Sequence, residues 1–290
     1  MKTMTPTPTI GVFDSGFGGL TVLRALMERL PQAKFAFLGD TARLPYGSKS
    51  RRTIARYAAQ GAQFLVREQG AEFLVIACNT ASALALDAIK DAVKVPVLGV
   101  IEPGAAAARA GSQTGDVLVI ATDATVQSHA YAAACRALGL RALEKACPLL
   151  VPLVEEGWTD HPVTGEVIRI YLDELTAEAA AQGMNPDALV LGCTHYPLLR
   201  PLIEREVPAG MKVIDSAEAA AEAAAREFGI TAFTDASSKP ESPECRCFAT
   251  DSVEKFERLG SRFLGQPTGK VKLVDMSGWV DNVFFVTDIL

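Results

Sequence analysis

Histidine is scarce in this chain, at three residues in 290, and tryptophan scarcer still, at two. No apolar run reaches the roughly 18 residues a membrane helix needs, so no membrane partner is expected. The net charge is −6 and no long Lys/Arg stripe offsets it, which argues against nucleic acid as the main ligand. Six cysteines are too few for a disulfide scaffold and read as thiols in a reducing compartment. The start of the chain, residues 1–9, is Thr/Pro-rich and lacks the charged and apolar regions of a signal peptide. A cytoplasmic protein is therefore expected.

What is present is an ordinary globular composition, 49% hydrophobic and 21% charged. Alanine runs at 105–108 and 219–225 point to packed helices, alanine being the best helix former. Short apolar, β-branched runs at 10–13, 34–38, 73–77, 95–100, 117–121, 188–192 and 212–214 read as strands. Helical patterns at 20–30, 53–69, 82–93, 126–138, 163–182 and 197–206 lie between them. The alternation predicts an α/β protein with parallel sheets covered by helices. Domain boundaries are expected near 99–104 and 215–216, segment 235–244 reads as a loop, and a helix near 253–264 and strand-like pieces at 245–250 and 283–286 follow.

The most informative feature is an internal echo. Leu74-Val75-Ile76-Ala77-Cys78-Asn79-Thr80 and Leu189-Val190-Leu191-Gly192-Cys193-Thr194-His195 each read as a buried strand ending in Cys, then polar residues, then a helix. Asn79, Thr80 and Ser82 suit a cap in the first, and Thr194 and Pro197 in the second. Ligands of parallel sheets bind outside the carboxyl ends of strands, where both thiols would stand. A helix N-terminus stabilises an anion, so a thiol there can fall below its free value of about 8.5. Two like groups on opposite sides of a cleft suit inversion at a carbon bearing a proton, since one acts as base while the other acts as acid. A nucleophilic hydrolase would need one cysteine and a base, for which Cys193 and His195 also qualify. An inert binding protein remains a third reading. The other four cysteines read differently. Cys135 and Cys147 have the setting of small buried hydrophobes, and Cys245 and Cys247 lack the second ligand pair a zinc site requires.

Several polar residues fall at other predicted strand ends. Asp14 closes the first strand and opens Asp14-Ser15-Gly16-Phe17-Gly18-Gly19, where it could receive an ammonium group, orient a thiol or simply form a turn. The glycines fall short of a dinucleotide fingerprint because Thr21 stands where the last glycine belongs. Backbone amides placed near a small anion are the alternative. Arg43 could meet a substrate carboxylate or a surface acid, while Pro45-Tyr46-Gly47 offers a hydroxyl and an open amide. Thr122 and Thr125 follow the 117–121 strand, and Glu155 and Glu156 cannot be told apart as partners of the site. His195 stands two residues from Cys193, where it could hold that thiol's proton balance near neutral pH.

Five ordered blocks resemble the signatures of bacterial glutamate racemases: residues 13–22, 39–43, 45–47, 77–81 and 192–197, with Val213-Ile214-Asp215-Ser216 adding to the match. The resemblance implies two similar α/β domains related by a pseudo-twofold axis, with the active site between them. The first would comprise 1–99 plus 215–290 and the second 100–214. It implies Cys78 as the base for D-glutamate and Cys193 as the base for L-glutamate, with Asp14 and His195 supporting the respective thiols and Glu155 as acidic partner. Asp14, Ser15, Pro45, Tyr46, Gly47, Asn79, Thr80, Thr122, Thr125, Thr194 and His195 would surround the substrate. It further implies a homodimer without pyridoxal phosphate or metal, supplying D-glutamate for peptidoglycan, the alternative being an aspartate racemase or a related isomerase of the same superfamily. Family members with a longer N-terminal extension are activated by a cell-wall precursor, and the short leader here leads to the expectation of no such activation.

Overall fold

The computed structural model describes residues 8–229 and 243–276. The strand-like reading at 283–286 and most of the 235–244 loop lie outside these residues. The strands are β1 (Thr9–Asp14), β2 (Lys34–Gly39), β3 (Phe73–Ile76), β4 (Val97–Gly99), β5 (Asp116–Ala121), β6 (Arg141–Ala146), β7 (Ala188–Gly192), β8 (Lys212–Asp215), β9 (Cys245–Ala249) and β10 (Val271–Leu273). Helices in the first half are α1 (Leu20–Arg29), α2 (Arg51–Arg67), α3 (Asn79–Ala92), α4 (Ile101–Gly111), α5 (Asp123–Gln127) and α6 (Ala130–Ala137). Those in the second are α7 (Leu150–Glu155), α8 (Pro162–Ala181), α9 (Arg200–Glu206), α10 (Ser216–Glu227) and α11 (Val253–Leu264).

The strands form a six-stranded sheet in the order β10-β9-β2-β1-β3-β4 and a four-stranded sheet in the order β6-β5-β7-β8. Every pairing is parallel. The unit β2-β1-β3-β4 has the same order as β6-β5-β7-β8, so the chain builds one topology twice and adds β9 and β10 to the first copy. This accounts for the echo between the two cysteine segments: β3 and β7 occupy equivalent places. In each copy the first strand has its successor on one side and its third strand on the other. That reversal opens a crevice at the strands' carboxyl ends.

Central strands β3, β5 and β7 are buried along their whole length, which is why they read as unbroken apolar runs. The principal core runs between the two sheets. Leu20, Leu23 and Leu26 of α1, Ala220 and Ala224 of α10, and Leu189 and Leu191 of β7 belong to one buried cluster. Each fully buried leucine contributes on the order of 2 kcal/mol, while the alanines let the helices approach closely.

Local differences from expectation have local causes. The predicted helix at 126–138 is two helices, because His129 adopts a left-handed backbone (φ 53°) between α5 and α6. Helix α9 is preceded by a separate 3-10 turn, Tyr196–Leu199, rather than starting at Pro197. Among the described residues no helix is long and apolar enough to cross a membrane.

Candidate active site

At the end of β1, Asp14 is 2% exposed. Its Oδ2 accepts the Gly16 amide at 2.9 Å, while its Oδ1 has no hydrogen-bond partner. Burial raises its carboxyl above the usual range, against backbone hydrogen bonds and the charge of His195. One strand away, Cys78 is itself the cap of α3, in place of the expected Asn79: its Sγ accepts the Ala81 amide at 3.4 Å. The thiol donates to Ser15 Oγ at 3.4 Å. The lowering that a helix N-terminus can bring to a thiol does not prevail at Cys78. Burial, reinforced by the Asp14 charge, pushes Cys78 up to about 12 despite the hydrogen bonds from Ser15 and Ala81. Desolvation of a buried anion outweighs one turn of helix dipole.

The equivalent position after β7 is built otherwise. Cys193 Sγ lies 3.9 Å from His195 Nδ1, and Thr194 Oγ1 lies 3.4 Å from the same nitrogen. On the far side, His195 Nε2 stands 3.5 Å from Glu155 Oε1, an ion-pair distance without hydrogen-bond geometry. Of the two glutamates, Glu155 at the end of α7 is the one that reaches the histidine. Its other oxygen lies 3.5 Å from Lys255 Nζ on α11. Burial pulls the His195 imidazolium down, but its contacts with Cys193 and Glu155 prevail and push it up to about 10. Burial likewise raises Glu155, and His195 with Lys255 outweighs this to hold the carboxyl below its usual range.

The two halves interlock. The His195 ring packs between Phe17 of the glycine-rich turn, at 6.1 Å, and Phe263 of α11, at 5.0 Å. A side chain at Gly18 would place its Cβ 2.4 Å from Thr194 Oγ1, so only glycine allows this approach. Thr21 Oγ1 donates to the Thr194 carbonyl at 3.0 Å. Thr80 of α3 meets Thr122 and Thr125 at 3.1 and 3.3 Å, and those two lie 3.0 Å apart. Asn79 Oδ1 accepts from Tyr131 of α6 at 2.7 Å, and its Nδ2 is buried without a partner.

Not every expected residue faces this assembly with a free group. The Tyr46 hydroxyl donates to Asp40 Oδ2 at 2.6 Å, so it is engaged within the protein rather than offered to a ligand. Pro45 precedes and Gly47 lies within the 3-10 turn Tyr46–Ser48, where a Cβ on Gly47 would lie 3.9 Å from Thr122 Cβ. Arg43 pairs with the buried Asp40 at 3.5 Å and lies over the Tyr57 ring, so its guanidinium is engaged within the protein rather than with a surface acid. Cys135 and Cys147 are fully buried, as small hydrophobes would be. Sequence reasoning missed Tyr131 and Lys255. A lone tyrosine in an alanine-rich helix was a faint signal, and Lys255 carried none.

Two open surface concavities of about 460 Å³ each lie elsewhere, one along 207–214 and one between α3, α4 and α6. Neither holds a thiol; the cysteines, at 6% and 5% exposure, stand in a nearly closed site. Chemistry outweighs size in locating the site: Asp14 Oδ1, Asn79 Nδ2 and His195 Nε2 are buried without hydrogen-bond partners, and such atoms are rare in folded proteins.

Reactive side chains gathered at the carboxyl ends of equivalent parallel strands, in a doubled α/β fold, define the class: an α/β enzyme with its site at the topological switch points. The family model for Asp/Glu/Hydantoin racemase matches residues 18–224. A glutamate racemase of Koribacter versatilis is 54% identical, covering 93% of this chain and 98% of that protein. The crystal structure of a glutamate racemase isoform from Bacillus anthracis superposes with a TM-score of 0.81 at 36% identity, over 92% of this chain and 97% of that one. The Francisella tularensis glutamate racemase in complex with D-glutamate superposes with a TM-score of 0.80 at 34% identity, over 94% and 99%. The chain belongs to the Asp/Glu/Hydantoin racemase family and is an amino-acid racemase of its glutamate racemase branch.

Proposed function

We propose that the protein interconverts L- and D-glutamate without a cofactor, using Cys78 and Cys193 as acid and base on opposite faces of Cα. The observation that carries this reading is the placement of the two cysteines after the equivalent strands β3 and β7, each among buried polar groups. With L-glutamate, Cys193 takes the Cα proton as thiolate and the Cys78 thiol delivers its own proton to the other face. The products are D-glutamate, a Cys193 thiol and a Cys78 thiolate. The reverse reaction exchanges the roles. The Cys78 environment favours a neutral thiol, the proton donor this direction requires, and His195 stands 3.9 Å from the Cys193 sulfur on the other side.

The unpartnered atoms match a zwitterion. Asp14 Oδ1 is a free acceptor for the ammonium group, and Asn79 Nδ2 a free donor for a carboxylate. Ser15, the Thr80–Thr122–Thr125 hydroxyls and Thr194 complete the substrate-binding set, with Pro45, Tyr46 and Gly47 shaping one wall. The Francisella relative's complex with D-glutamate supports the choice of substrate. We assign 1–99 plus 215–290 to one domain and 100–214 to the other, and we propose a cytoplasmic homodimer supplying D-glutamate for peptidoglycan.

The test is incubation of protein free of pyridoxal phosphate with L-glutamate in D2O, following optical rotation and deuterium at Cα. Loss of rotation with deuterium gain is expected. Turnover of aspartate but not glutamate would move the substrate to the sister amino acid, and inertness toward both would end the reading.

A further inference from the structure

We propose that Tyr131 is a positioning residue for substrate binding: it fixes the Asn79 amide so that its NH2 faces the substrate, and it ties this group to the strand end that carries Cys193. The inference rests on the racemase reading above and adds a residue that lies outside both cysteine segments.

Tyr131 is fully buried on α6, and its hydroxyl donates to Asn79 Oδ1 at 2.7 Å. An amide side chain can turn over and exchange its oxygen for its nitrogen, presenting either an acceptor or a donor to a ligand. A tyrosine hydroxyl can donate or accept; here it donates to Oδ1, and that bond holds the orientation in which Nδ2 is the free group. That nitrogen is buried and unpartnered on a residue 3% exposed, next to Cys78. A buried donor without a partner is costly in a folded protein, and a carboxylate entering the site would satisfy it. Burial pushes the Tyr131 phenol up, so it stays protonated and remains a donor.

The ring is held as firmly as the hydroxyl. A Cβ on Gly104 would come within 3.1 Å of Tyr131 Cε1, and a Cβ on Gly192 within 3.0 Å of Cε2. Two glycines thus clamp the ring, and Gly192 directly precedes Cys193. One side chain therefore spans from the residue after one cysteine to the residue before the other. The arrangement has a smaller counterpart in Thr21, whose hydroxyl crosses from α1 to the Thr194 carbonyl. In each half, the residue following the cysteine receives a hydroxyl from an element of the other copy.

The test compares wild type, Tyr131→Phe, Asn79→Ala and the double variant, with KM and kcat for both enantiomers. Apparent Kd for D-glutamate by titration calorimetry serves where turnover is slow. Tyr131→Phe keeps the ring and removes only the hydroxyl. It is expected to raise KM for both enantiomers about fivefold to tenfold, the effect of one hydrogen bond, with kcat within about twofold. In the Asn79→Ala background the same change should add less than about twofold. An unchanged KM, a fall in kcat alone, or full additivity in the double variant would overturn the proposal. Should Tyr131→Phe fail to fold, Gly104→Ala, which presses on the ring, must raise KM in the Asn79 background of wild type and not in Asn79→Ala. A wild-type protein that does not racemise glutamate would defeat the function reading itself, whereas an active wild type with an indifferent Tyr131→Phe would defeat this proposal alone.

Discussion

Cys78 and Cys193 follow equivalent strands and are equally hidden from solvent, yet their neighbours treat them in opposite ways. Cys78 has a backbone amide, a serine hydroxyl and a nearby carboxylate, Asp14. Nothing there stabilises a negative sulfur enough to offset burial, so the proton stays. Cys193 has an imidazole at 3.9 Å backed by Glu155 and Lys255, a chain of alternating charge. A repeated backbone topology thus delivers two thiols to comparable places, and the different side chains around each make their surroundings unlike. A reaction that needs one proton donor and one acceptor at the start calls for that inequality.

The sharpest way to break the comparison is to remove each sulfur in turn. Cys78→Ser and Cys193→Ser should each lower racemisation by at least about a hundredfold, since a hydroxyl is a far poorer acid and base at neutral pH. Enantiomers have equal free energy in water, so any variant must lower kcat/KM equally in both directions. The difference between the halves shows only in Cα–H exchange with solvent. Cys78→Ser should still exchange the proton of L-glutamate, and Cys193→Ser that of D-glutamate, as followed by deuterium incorporation in NMR spectra. Complete loss of exchange with both enantiomers in both variants would show that the thiols do not act as separate bases.

Next in size is His195→Gln. Hydrogen bonds to charged groups are worth about 1.5–3 kcal/mol, so kcat/KM should fall about tenfold to hundredfold. A loss below about twofold would show that Cys193 does not depend on the imidazole, and the two halves would then be more alike than their geometry implies.

The halves should also separate in their pH dependence. His195 is raised from its ordinary 6.5 to about 10 in the folded protein. Its stabilisation is therefore complete below about pH 6.5 and is lost as pH rises toward 10. Cys78 is raised from 9.0 to about 12, so the folded state keeps a proton that the unfolded chain releases, and its loss of stability begins only above pH 9. Melting temperatures measured between about pH 6 and pH 10 should fall in wild type and flatten in His195→Gln, while Cys78→Ser should change the slope only at the alkaline end. Parallel curves for wild type and His195→Gln would remove the charged network from the account.

Much of this was legible in the sequence, for physical reasons. Doubly buried strands must be apolar, so β3, β5 and β7 announced themselves, and with β3 and β7 the thiols that follow them. Strand β6, Arg-Ala-Leu-Glu-Lys-Ala, lies at a sheet edge and has neither an apolar run nor a polar–apolar alternation, so periodicity did not reveal it. The direction of the Cys78 shift was not legible, because burial depends on what packs around a residue. The same holds for Tyr46, whose hydroxyl is engaged by Asp40, and for Tyr131 and Lys255, which reach the site from α6 and α11. Local sequence conveys which groups stand at a strand end; it does not convey which groups come to meet them.

The smallest expected effect sharpens the comparison most finely. Lys255 lies 3.5 Å from Glu155 with its side chain 48% exposed, and its ammonium sits 5.6 Å from the Phe17 ring. An exposed pair of this kind contributes about 0.2–1 kcal/mol, so Lys255→Ala should lower kcat/KM by no more than about fivefold. The loss should shrink further as salt screens the pair in wild type. A loss approaching that of His195→Gln would mean that Glu155 is held in place chiefly by the lysine. The difference between the two halves would then reside in a relay that begins on α11, outside the repeated unit, rather than in one histidine beside one sulfur.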